Sequence, residues 1–358
     1  MKEQRLMKGN EALAEAAIRS GCDAYFGYPI TPQSEVLEYL SNEAEKRTGM
    51  VVLQAESEVA SINMVYGAAG TGKLVMTSSS SPGMSLMQEG ISYIACAELP
   101  CLLVNVVRGG PGLGTIQPSQ GDYFQAVKGG GHGDYKMIVL APSTVQEMVD
   151  FVRLGFDLAF KWRNPVMILT DGALGQMMEK VELFEQQPRK TKIEPWATVG
   201  KPKDRERNII TSLHIEPLFM EEINIRLQNK YKAIEKEEIR YELTGCDDAE
   251  IILTGFGLVA RICQKAAHLA REKGIKVGVF RPLTVSPFPY EILNELAARE
   301  NIKGFLDVEM NAGQMVEDVR LGVNGQKRVE FHGRMGGVVP SPEEVLAKIE
   351  EKFAGELV

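Results

Sequence analysis

Short apolar runs alternate with helical patterns along residues 8–180 of the chain. Each run is short enough for one strand, and the stretches between them are rich in alanine or repeat apolar residues at helical spacing. Strands buried on both faces of a parallel sheet have this continuous apolar character, and helices cover the two faces. We therefore predict a parallel α/β sheet whose strands lie at residues 24–27, 50–54, 74–78, 101–107, 137–140 and 165–170.

Helices are predicted between these strands, at residues 10–19, 32–46, 57–69, 82–96 and 144–160. Thr31 precedes Pro32 at the start of the second helix. Because threonine is a common N-cap and proline is tolerated at the first helical position, Thr31 is predicted to cap this helix.

The alternation stops over residues 181–247 and then resumes. Residues 186–207 are polar with two prolines, which predicts an exposed connector. Residues 216–243 are highly charged with one apolar stripe, which predicts a long surface helix. A second α/β unit follows. The predicted organisation is a first domain at 1–185, a connector at 186–247 and a second domain at 248–358, with strands at 251–254, 276–280, 304–308 and 328–331.

Composition is ordinary for a globular protein, with 44% hydrophobic and 25% charged residues. The net charge of −8 and the absence of a basic tract argue against nucleic acid or an anionic membrane as partner. No apolar run reaches the ~18 residues of a membrane span. The N-terminus lacks the apolar core of a signal peptide. A cytoplasmic location is therefore expected.

The five cysteines are scattered and form no C-x-x-C pair. An odd, scattered set argues against a disulfide framework and a structural zinc site. It also argues against an iron–sulfur cluster, which needs four grouped thiolates. No two of the four histidines have the spacing of metal ligands, so we expect no metal in this chain.

Ligands of parallel sheets bind at the carboxyl ends of strands, which directs attention to Glu56 and Glu58 after the second strand. An acid in the first helical turn is stabilised by the helix dipole, and this explanation is preferred for Glu56. Glu58 has small apolar neighbours, so a carboxyl on the inner face of this helix would be desolvated. Desolvation suits it to sharing a proton with a ligand nitrogen. Spacing alone nevertheless favours a helix-terminal role for Glu58, and other segments change that balance.

Two glycine-rich motifs resemble nucleotide sites. Residues 67–73 fit most of a P-loop, but Leu74 replaces its hydroxyl residue, and the segment ends a helix instead of opening one. Residues 255–260 follow a strand and fit a dinucleotide fingerprint, although the next strand ends at Arg281 instead of an acid. A tight turn is the preferred explanation. A nucleotide enzyme that binds NADP(H) with Arg281 remains an alternative.

Six segments together resemble the α subunit of 2-oxoacid:ferredoxin oxidoreductases, most closely the branched-chain (2-oxoisovalerate) type. They are Gly27-Tyr-Pro-Ile-Thr-Pro32, Glu56-Ser-Glu58, Thr77-Ser-Ser-Ser-Ser-Pro-Gly83, Arg108-Gly-Gly-Pro-Gly-Leu-Gly114, Pro118-Ser-Gln-Gly-Asp122 and residues 129–135. The resemblance covers nearly the whole chain. It implies a pyrimidine-binding domain of thiamin diphosphate enzymes, followed by a domain of the transketolase C-terminal type.

The resemblance also implies roles for individual residues. Glu58 corresponds to the catalytic glutamate that hydrogen-bonds the aminopyrimidine ring of thiamin diphosphate, where a carboxyl passes a proton to a ring nitrogen. Thr31 and Arg108 correspond to contacts with the substrate carboxylate, which an Arg fork can bind in bidentate fashion. The alternatives are a helix cap for Thr31 and a surface ion pair for Arg108. Cofactor contacts are expected from Tyr28, Pro29, Ser79 and Ser80.

The features that this chain lacks imply partner chains. Thr170-Asp-Gly172 misses the first glycine of the Gly-Asp-Gly that starts the magnesium–diphosphate motif of thiamin enzymes. The resemblance therefore implies a β subunit that holds Mg²⁺ and the diphosphate, a separate γ subunit, and a ferredoxin-like δ subunit with iron–sulfur clusters. The implied reaction converts a 2-oxoacid and coenzyme A to an acyl-CoA and CO2 and reduces ferredoxin.

The substrate and the catalytic role both have alternatives. Residues 112–119 carry Leu113 and Ile116 but no basic residue, which favours an apolar substrate side chain over the second carboxylate of 2-oxoglutarate. Pyruvate and 2-oxoglutarate remain alternative substrates. A non-catalytic scaffold subunit is a further alternative, and it predicts that Thr31 and Arg108 do not converge.

Overall fold

The computed structural model describes residues 3–355. Two sheets and a short strand pair form its framework. The strands are β1 (Glu3–Lys8), β2 (Ala24–Gly27), β3 (Val51–Gln54), β4 (Val75–Ser79), β5 (Cys101–Val107), β6 (Ile138–Leu140), β7 (Pro165–Asp171), β8 (Met178–Leu183), β9 (Tyr241–Thr244), β10 (Ile251–Thr254), β11 (Val277–Pro282), β12 (Thr284–Ser286), β13 (Gly304–Glu309) and β14 (Arg328–Gly333).

Twelve helices connect these strands within the described residues. They are α1 (Gly9–Arg19), α2 (Ser34–Thr48), α3 (Glu58–Ala69), α4 (Ser81–Cys96), α5 (Tyr123–Val127), α6 (Val145–Trp162), α7 (Gly172–Gln176), α8 (Pro217–Glu237), α9 (Gly257–Glu272), α10 (Tyr290–Ala297), α11 (Met315–Val323) and α12 (Pro342–Phe353).

The first sheet has seven strands in the order β12-β6-β7-β5-β4-β2-β3. Strands β2 to β7 are parallel, and β4, β5 and β7 are buried along their whole length. Helices α1, α2 and α6 pack together, and α3 packs on α4. The prediction of a parallel α/β sheet from continuous apolar runs is confirmed.

The second sheet has five strands in the order β14-β13-β10-β11-β9. All pairs are parallel except that of β9 with β11. Helices α9 and α12 pack on each other and contribute to a separate apolar cluster. The second predicted α/β unit is therefore present, with β9 as an additional antiparallel edge.

The two halves of the chain are joined through β12, which pairs antiparallel with β6 of the first sheet. This strand has only three residues and was not predicted. The antiparallel pair of β1 with β8 was not predicted either, because four of the six residues of β1 are polar and the strand lacks an apolar run. No helix of residues 3–355 is long and apolar enough to cross a membrane.

Three predicted element ends are corrected. Thr31 does not cap a helix, because α2 starts at Ser34 with Gln33 at the N-cap. The Gln33 side chain donates to the Tyr28 carbonyl (3.2 Å) and accepts from the Ser78 hydroxyl (2.5 Å), which ties the turn to β4. The helix predicted at 216–243 ends at Glu237, and the helix that the sequence predicts over residues 287–299 begins at Tyr290. The predicted connector at 186–207 has no helix or strand.

Candidate active site

The carboxyl ends of β2, β4 and β5 lie side by side, because β4 pairs in parallel with both of the others. The turn before α2, the N-terminus of α4 and the loop after β5 therefore meet at one edge of the sheet. Helix α3 begins beside them, after β3, the neighbour of β2. Every segment that carries a candidate residue ends at this edge.

Glu58 is the first residue of α3 and is only 6% exposed. The helix is capped by Ser57, whose hydroxyl accepts a hydrogen bond from the Ala60 backbone at 3.2 Å. Among residues 3–355 the Glu58 carboxylate has no hydrogen-bond or ion-pair partner. Burying a carboxylate without a partner costs free energy, and a ligand that hydrogen-bonds Glu58 would offset this cost. The N-cap of α3 is Ser57, and Glu58 lies in the first helical turn, where the helix dipole also favours an acid, so both interpretations of Glu58 remain open.

Gly83 brings the first turn of α4 against the Glu58 side chain. A Cβ at this position would lie 2.5 Å from Glu58 Oε1 and 2.9 Å from its Cγ, and it would overlap the Ser79 hydroxyl. Only glycine permits this approach, so Gly83 closes one side of the carboxylate. The sequence offered a signal in the glycine that follows the serine run, but not the contact itself.

Three hydroxyls at the end of β4 are buried without a hydrogen-bond partner in the described part of the chain. They belong to Thr77, Ser79 and Ser80. The neighbouring Ser78 is satisfied, since its hydroxyl also bonds the Tyr25 hydroxyl at 2.8 Å. An unsatisfied buried hydroxyl costs about 1–3 kcal/mol, so this concentration at a strand end is what a polar ligand or water would relieve.

Arg108 follows β5 and reaches back across the edge to the turn before α2. Its Nη1 donates to the Thr31 carbonyl at 2.9 Å, while its Nε is buried without a partner. It forms no ion pair with a carboxylate of residues 3–355, so the surface ion-pair alternative is not supported. Thr31 is exposed, and its hydroxyl bonds no other described residue. The two predicted substrate residues converge, leaving a guanidinium without a counter-ion.

Ser81 links the arginine to α4 and was not anticipated. Its hydroxyl donates to the Arg108 carbonyl at 3.2 Å and accepts from the Arg108 amide at 3.1 Å. Burial raises the pKa of the nearby Asp122 carboxyl, although hydrogen bonds from Asn105 and Ser81 act to lower it. Apart from the serine run, no feature of the sequence predicts this link.

One side of the site is lined by exposed side chains. Tyr28 and Pro29 are exposed on the turn before Thr31. The edge strand β3 and the outer face of α3 also expose apolar side chains, namely Val51, Leu53, Val59 and Met64. Exposed apolar side chains on an edge strand and the neighbouring helix are typical of an interface with another chain.

The dinucleotide-like turn at residues 255–260 is used differently. Arg281 is buried between two carboxylates, with Nη1 2.9 Å from Glu242 and Nη2 in contact with Glu147. The side-chain amide of Gln120 donates to the Phe256 carbonyl at 2.8 Å and covers the turn. The arginine is therefore engaged, which removes the support for NADP(H) binding. No group of three or more potential metal ligands occurs in residues 3–355.

Comparison with known proteins adds two family matches. The model described as "Pyruvate flavodoxin/ferredoxin oxidoreductase, thiamine diP-bdg" matches residues 15–242. The model described as "Pyruvate:ferredoxin oxidoreductase core domain II" matches residues 249–345. Together they span both sheets.

Individual relatives are similar over most of the chain. The ketoisovalerate oxidoreductase subunit VorB of Methanothermobacter marburgensis is 49% identical, covering 98% of both chains. The 2-oxoglutarate synthase subunit KorA of Methanocaldococcus jannaschii is 36% identical, covering 95% of this chain and 97% of the relative.

Two solved structures share the fold. A 2-oxoglutarate:ferredoxin oxidoreductase from Magnetococcus marinus, solved with 2-oxoglutarate, coenzyme A and succinyl-CoA bound, superposes with a TM-score of 0.84 and 28% identity. The match covers 98% of this chain but 65% of the solved chain, so this chain spans about two thirds of that relative. A split-gene transketolase superposes with a TM-score of 0.59 at 13% identity, covering 97% of this chain and 98% of that one, which indicates the fold alone.

Proposed function

The chain belongs to the pyruvate flavodoxin/ferredoxin oxidoreductase family, and we propose that it is the subunit that contributes Glu58 and Arg108 to a thiamin diphosphate-dependent active site. One observation carries the proposal. A carboxylate and a guanidinium, neither with a counter-ion among residues 3–355, lie at the carboxyl edge of the first sheet, where ligands of such sheets bind. The proposed complex is a 2-oxoacid:ferredoxin oxidoreductase.

The side chains at this edge fit the aminopyrimidine of thiamin diphosphate. The Glu58 carboxyl can hydrogen-bond a ring nitrogen, and the unsatisfied hydroxyls of Ser79 and Ser80 can bond other polar atoms. Tyr28 and Pro29 offer exposed surface for packing beside them. When bound, the cofactor supplies a carbon nucleophile and an electron sink for decarboxylation. Glu58 holds and returns the proton at the ring nitrogen, in a buried position that excludes water.

Arg108 and Thr31 are proposed to bind the carboxylate of the 2-oxoacid. The Arg108 Nη1 is engaged by the Thr31 carbonyl, which fixes the guanidinium plane and leaves Nε for an anion. The Thr31 hydroxyl adds one donor on the exposed side. A carboxylate would then meet a charge-assisted pair of donors.

The substrate is proposed to be a branched-chain 2-oxoacid such as 2-oxoisovalerate. Leu113 and Ile116 are exposed on the loop after Arg108, and no basic residue lies between positions 112 and 119. The relative named for ketoisovalerate is 49% identical, whereas the one named for 2-oxoglutarate is 36% identical. An apolar lip without a second cation favours an apolar side chain over a second carboxylate.

Partner chains are proposed to complete the site. Asp171, in the Thr170-Asp-Gly172 segment, is buried and caps α7 through the backbone amides of Ala173 and Leu174. It therefore does not present a diphosphate–magnesium anchor. A β subunit would hold Mg²⁺ and diphosphate and cover the exposed face of β3 and α3. A γ subunit and a δ subunit with iron–sulfur clusters would complete a cytoplasmic complex that uses coenzyme A and ferredoxin.

The test is the 2-oxoacid- and CoA-dependent reduction of a viologen dye by the complex, co-expressed from the neighbouring genes. Glu58→Gln is expected to lower kcat by at least ~10²-fold, the usual contribution of a positioned acid or base. The matched control is Glu56→Gln, since Glu56 is exposed and, among the described residues, bonds only the Ser57 hydroxyl at 2.8 Å. It should retain wild-type activity.

The substrate panel is 2-oxoisovalerate, pyruvate and 2-oxoglutarate. The highest kcat/KM on 2-oxoisovalerate would support the branched-chain assignment, and a preference for either other acid would overturn it. Full activity of Glu58→Gln would refute the catalytic role of Glu58. An assembled complex that contains its cofactors and is inactive on all three acids would favour the scaffold alternative.

A further inference from the structure

The loop that follows Arg108 is compact and closed on itself. We call residues 109–118 the anion loop. The Gly109 amide donates to the Gln117 carbonyl at 2.9 Å, and the Thr115 amide donates to the Gly109 carbonyl at 2.8 Å. An isolated bridge also pairs Arg108 with Pro118. Because these bonds link both ends of the loop, a displacement of one side moves the backbone of Arg108.

The far end of the anion loop is fixed to the second sheet. The backbone amide of Gln120 donates to the Met310 carbonyl at 3.0 Å, and the backbone amide of Met310 donates to Gln120 Oε1 at 3.0 Å. The Ser119 hydroxyl donates to the same carbonyl at 3.2 Å, and Asn311 Nδ2 donates to the Gln120 carbonyl at 2.9 Å. Since these residues are buried, the end of β13 holds this end of the loop rigidly.

The near end of the anion loop rests on a glycine turn between β14 and α12. A Cβ on Gly109 would lie 2.9 Å from both the Gly336 carbonyl carbon and the Gly337 nitrogen. A Cβ on Gly337 would lie 3.0 Å from Thr115 Cγ2 and would overlap the Gln117 Cβ. The glycine turn therefore lies close against the loop, with the Thr115 methyl and the Gln117 side chain beside the contact.

We infer that the second domain sets the position of Arg108 through this contact, with Gly337 as a positioning residue for the substrate carboxylate. The inference rests on the proposed function, because it assigns the purpose of the anion loop to carboxylate binding. Arg108 forms no ion pair with a described carboxylate, and its Nη1 is held by the Thr31 carbonyl, so its backbone position strongly influences where the fork points. A displaced fork would weaken its hold on the substrate carboxylate, a contact that is made in the ground state and in the transition state alike.

The test compares Gly337→Ala with Gly336→Ala in the assembled complex. Both glycines have positive φ, at +97° and +65°, so alanine is strained at either position. Only the Gly337 substitution meets the anion loop, since a Cβ on Gly336 has no atom within 4 Å. Gly337→Ala is expected to raise KM for the 2-oxoacid about tenfold with kcat within about twofold. This pattern arises when an interaction is lost equally from the ground state and the transition state. Gly336→Ala should change neither constant by more than about twofold.

A second substitution separates a steric effect from general destabilisation. Gln117→Gly removes the Cβ that the new methyl would overlap. In the double variant Gly337→Ala/Gln117→Gly, KM should fall back toward the value of Gln117→Gly alone, a coupling that unrelated sites do not show. Melting temperatures of the two glycine variants check that they are equally folded.

The outcomes distinguish this inference from the proposed function. Equal KM values for the two glycine variants, in an active complex, would overturn the positioning role and leave the active-site assignment intact. Absence of coupling with Gln117→Gly would overturn it as well. A wild-type complex without 2-oxoacid activity would instead refute the proposed function.

Discussion

Gly83→Ala tests directly whether the position of the Glu58 carboxylate matters. Gly83 lies in the first turn of α4, where a Cβ would point at the Glu58 side chain. The substitution adds one methyl group and no charge. Its φ is not positive, so the backbone of Gly83 imposes no strain of its own on alanine. Any effect must come from the space that the methyl occupies.

The size of the displacement follows from the contacts. Ordinary contacts of a Cβ begin at 3.4 Å, so the 2.5 Å separation from Oε1 requires the carboxylate or α4 to move by about 0.9 Å. The Cγ at 2.9 Å must also withdraw, so a simple rotation of the carboxylate is not enough. Overpacking of this kind costs about 1–3 kcal/mol of stability. A 1 Å displacement of a catalytic group lowers turnover by ~10²-fold.

The control is Gly67→Ala in the neighbouring helix α3. Gly67 is exposed, and a Cβ there has no atom within 4 Å. Alanine at this helical position should stabilise the protein by about 0.5–1 kcal/mol and leave turnover unchanged. The assay measures kcat with the preferred 2-oxoacid, together with thermal unfolding of each complex. Loss of turnover by Gly83→Ala at a temperature where it is fully folded is the expected result.

Two outcomes would contradict this reasoning. The first is a folded Gly83→Ala complex that keeps more than half of the wild-type kcat, which would mean that the Glu58 position tolerates displacement. The second is recovery of turnover in Gly83→Ala/Ser79→Ala, because removal of the serine hydroxyl leaves the overlap with Glu58 in place. In that case the serine, and not the glutamate, would transmit the effect.

Two further predictions concern buried acids other than Glu58. Burial acts to raise the pKa of Glu15, but hydrogen bonds from Arg47 and Arg19 outweigh it, so the pKa of Glu15 is lowered. The stability that the ionised carboxylate contributes is therefore present above about 4.5, its pKa in the unfolded chain, and is lost as pH falls through the lower pKa of the folded protein. Glu15→Ala should therefore lower the unfolding free energy, measured with urea at pH 7, by about 3–5 kcal/mol. At pH 4 the loss of unfolding free energy should be smaller, and an equal loss at both pH values would contradict the ion-pair explanation. Burial raises the pKa of Asp171 from 3.8 to about 6, so its stabilising contribution is complete below 3.8 and is lost as pH rises through 6. Asp171→Asn keeps an acceptor for the helix cap but does not ionise. The unfolding free energy of the variant relative to the wild type should therefore rise by about 3 kcal/mol between pH 4 and pH 7.5. Parallel pH profiles of the two proteins would refute this assignment.

Most of the framework could be predicted because its strands carry their own signal. Strands such as β5 and β7 are continuous apolar runs, and their burial on both faces requires that composition. The strands β9 and β12 could not be predicted, since they carry no continuous apolar run and form only against partners distant in sequence. Pairing of that kind is determined by tertiary contacts and not by local propensity.

The site could be predicted only in part for a similar reason. Glu58 and Arg108 were identified from their places at strand ends and from the resemblance of their segments to a known family. Their proximity depends on β4 lying between β2 and β5, which the sequence does not specify. The cap assigned to Thr31 was wrong because Gln33 makes long-range hydrogen bonds to the turn and to β4, and local capping preference cannot register such bonds.

The charges of Glu58 and Arg108 do not pair, and this explains the character of the site. Both groups lie at the same edge, and Ser81 and Gly83 of the α4 N-terminus stand between the elements that carry them. An ion pair would satisfy both charges and leave nothing for a ligand. Because the two groups are separate, the acid stays available for a nitrogen base and the guanidinium for a carboxylate. Burying both groups without partners costs stability. In the proposed function, an aminopyrimidine and a 2-oxoacid would supply the two missing partners, and the cost of burying these groups without partners would be recovered as binding free energy.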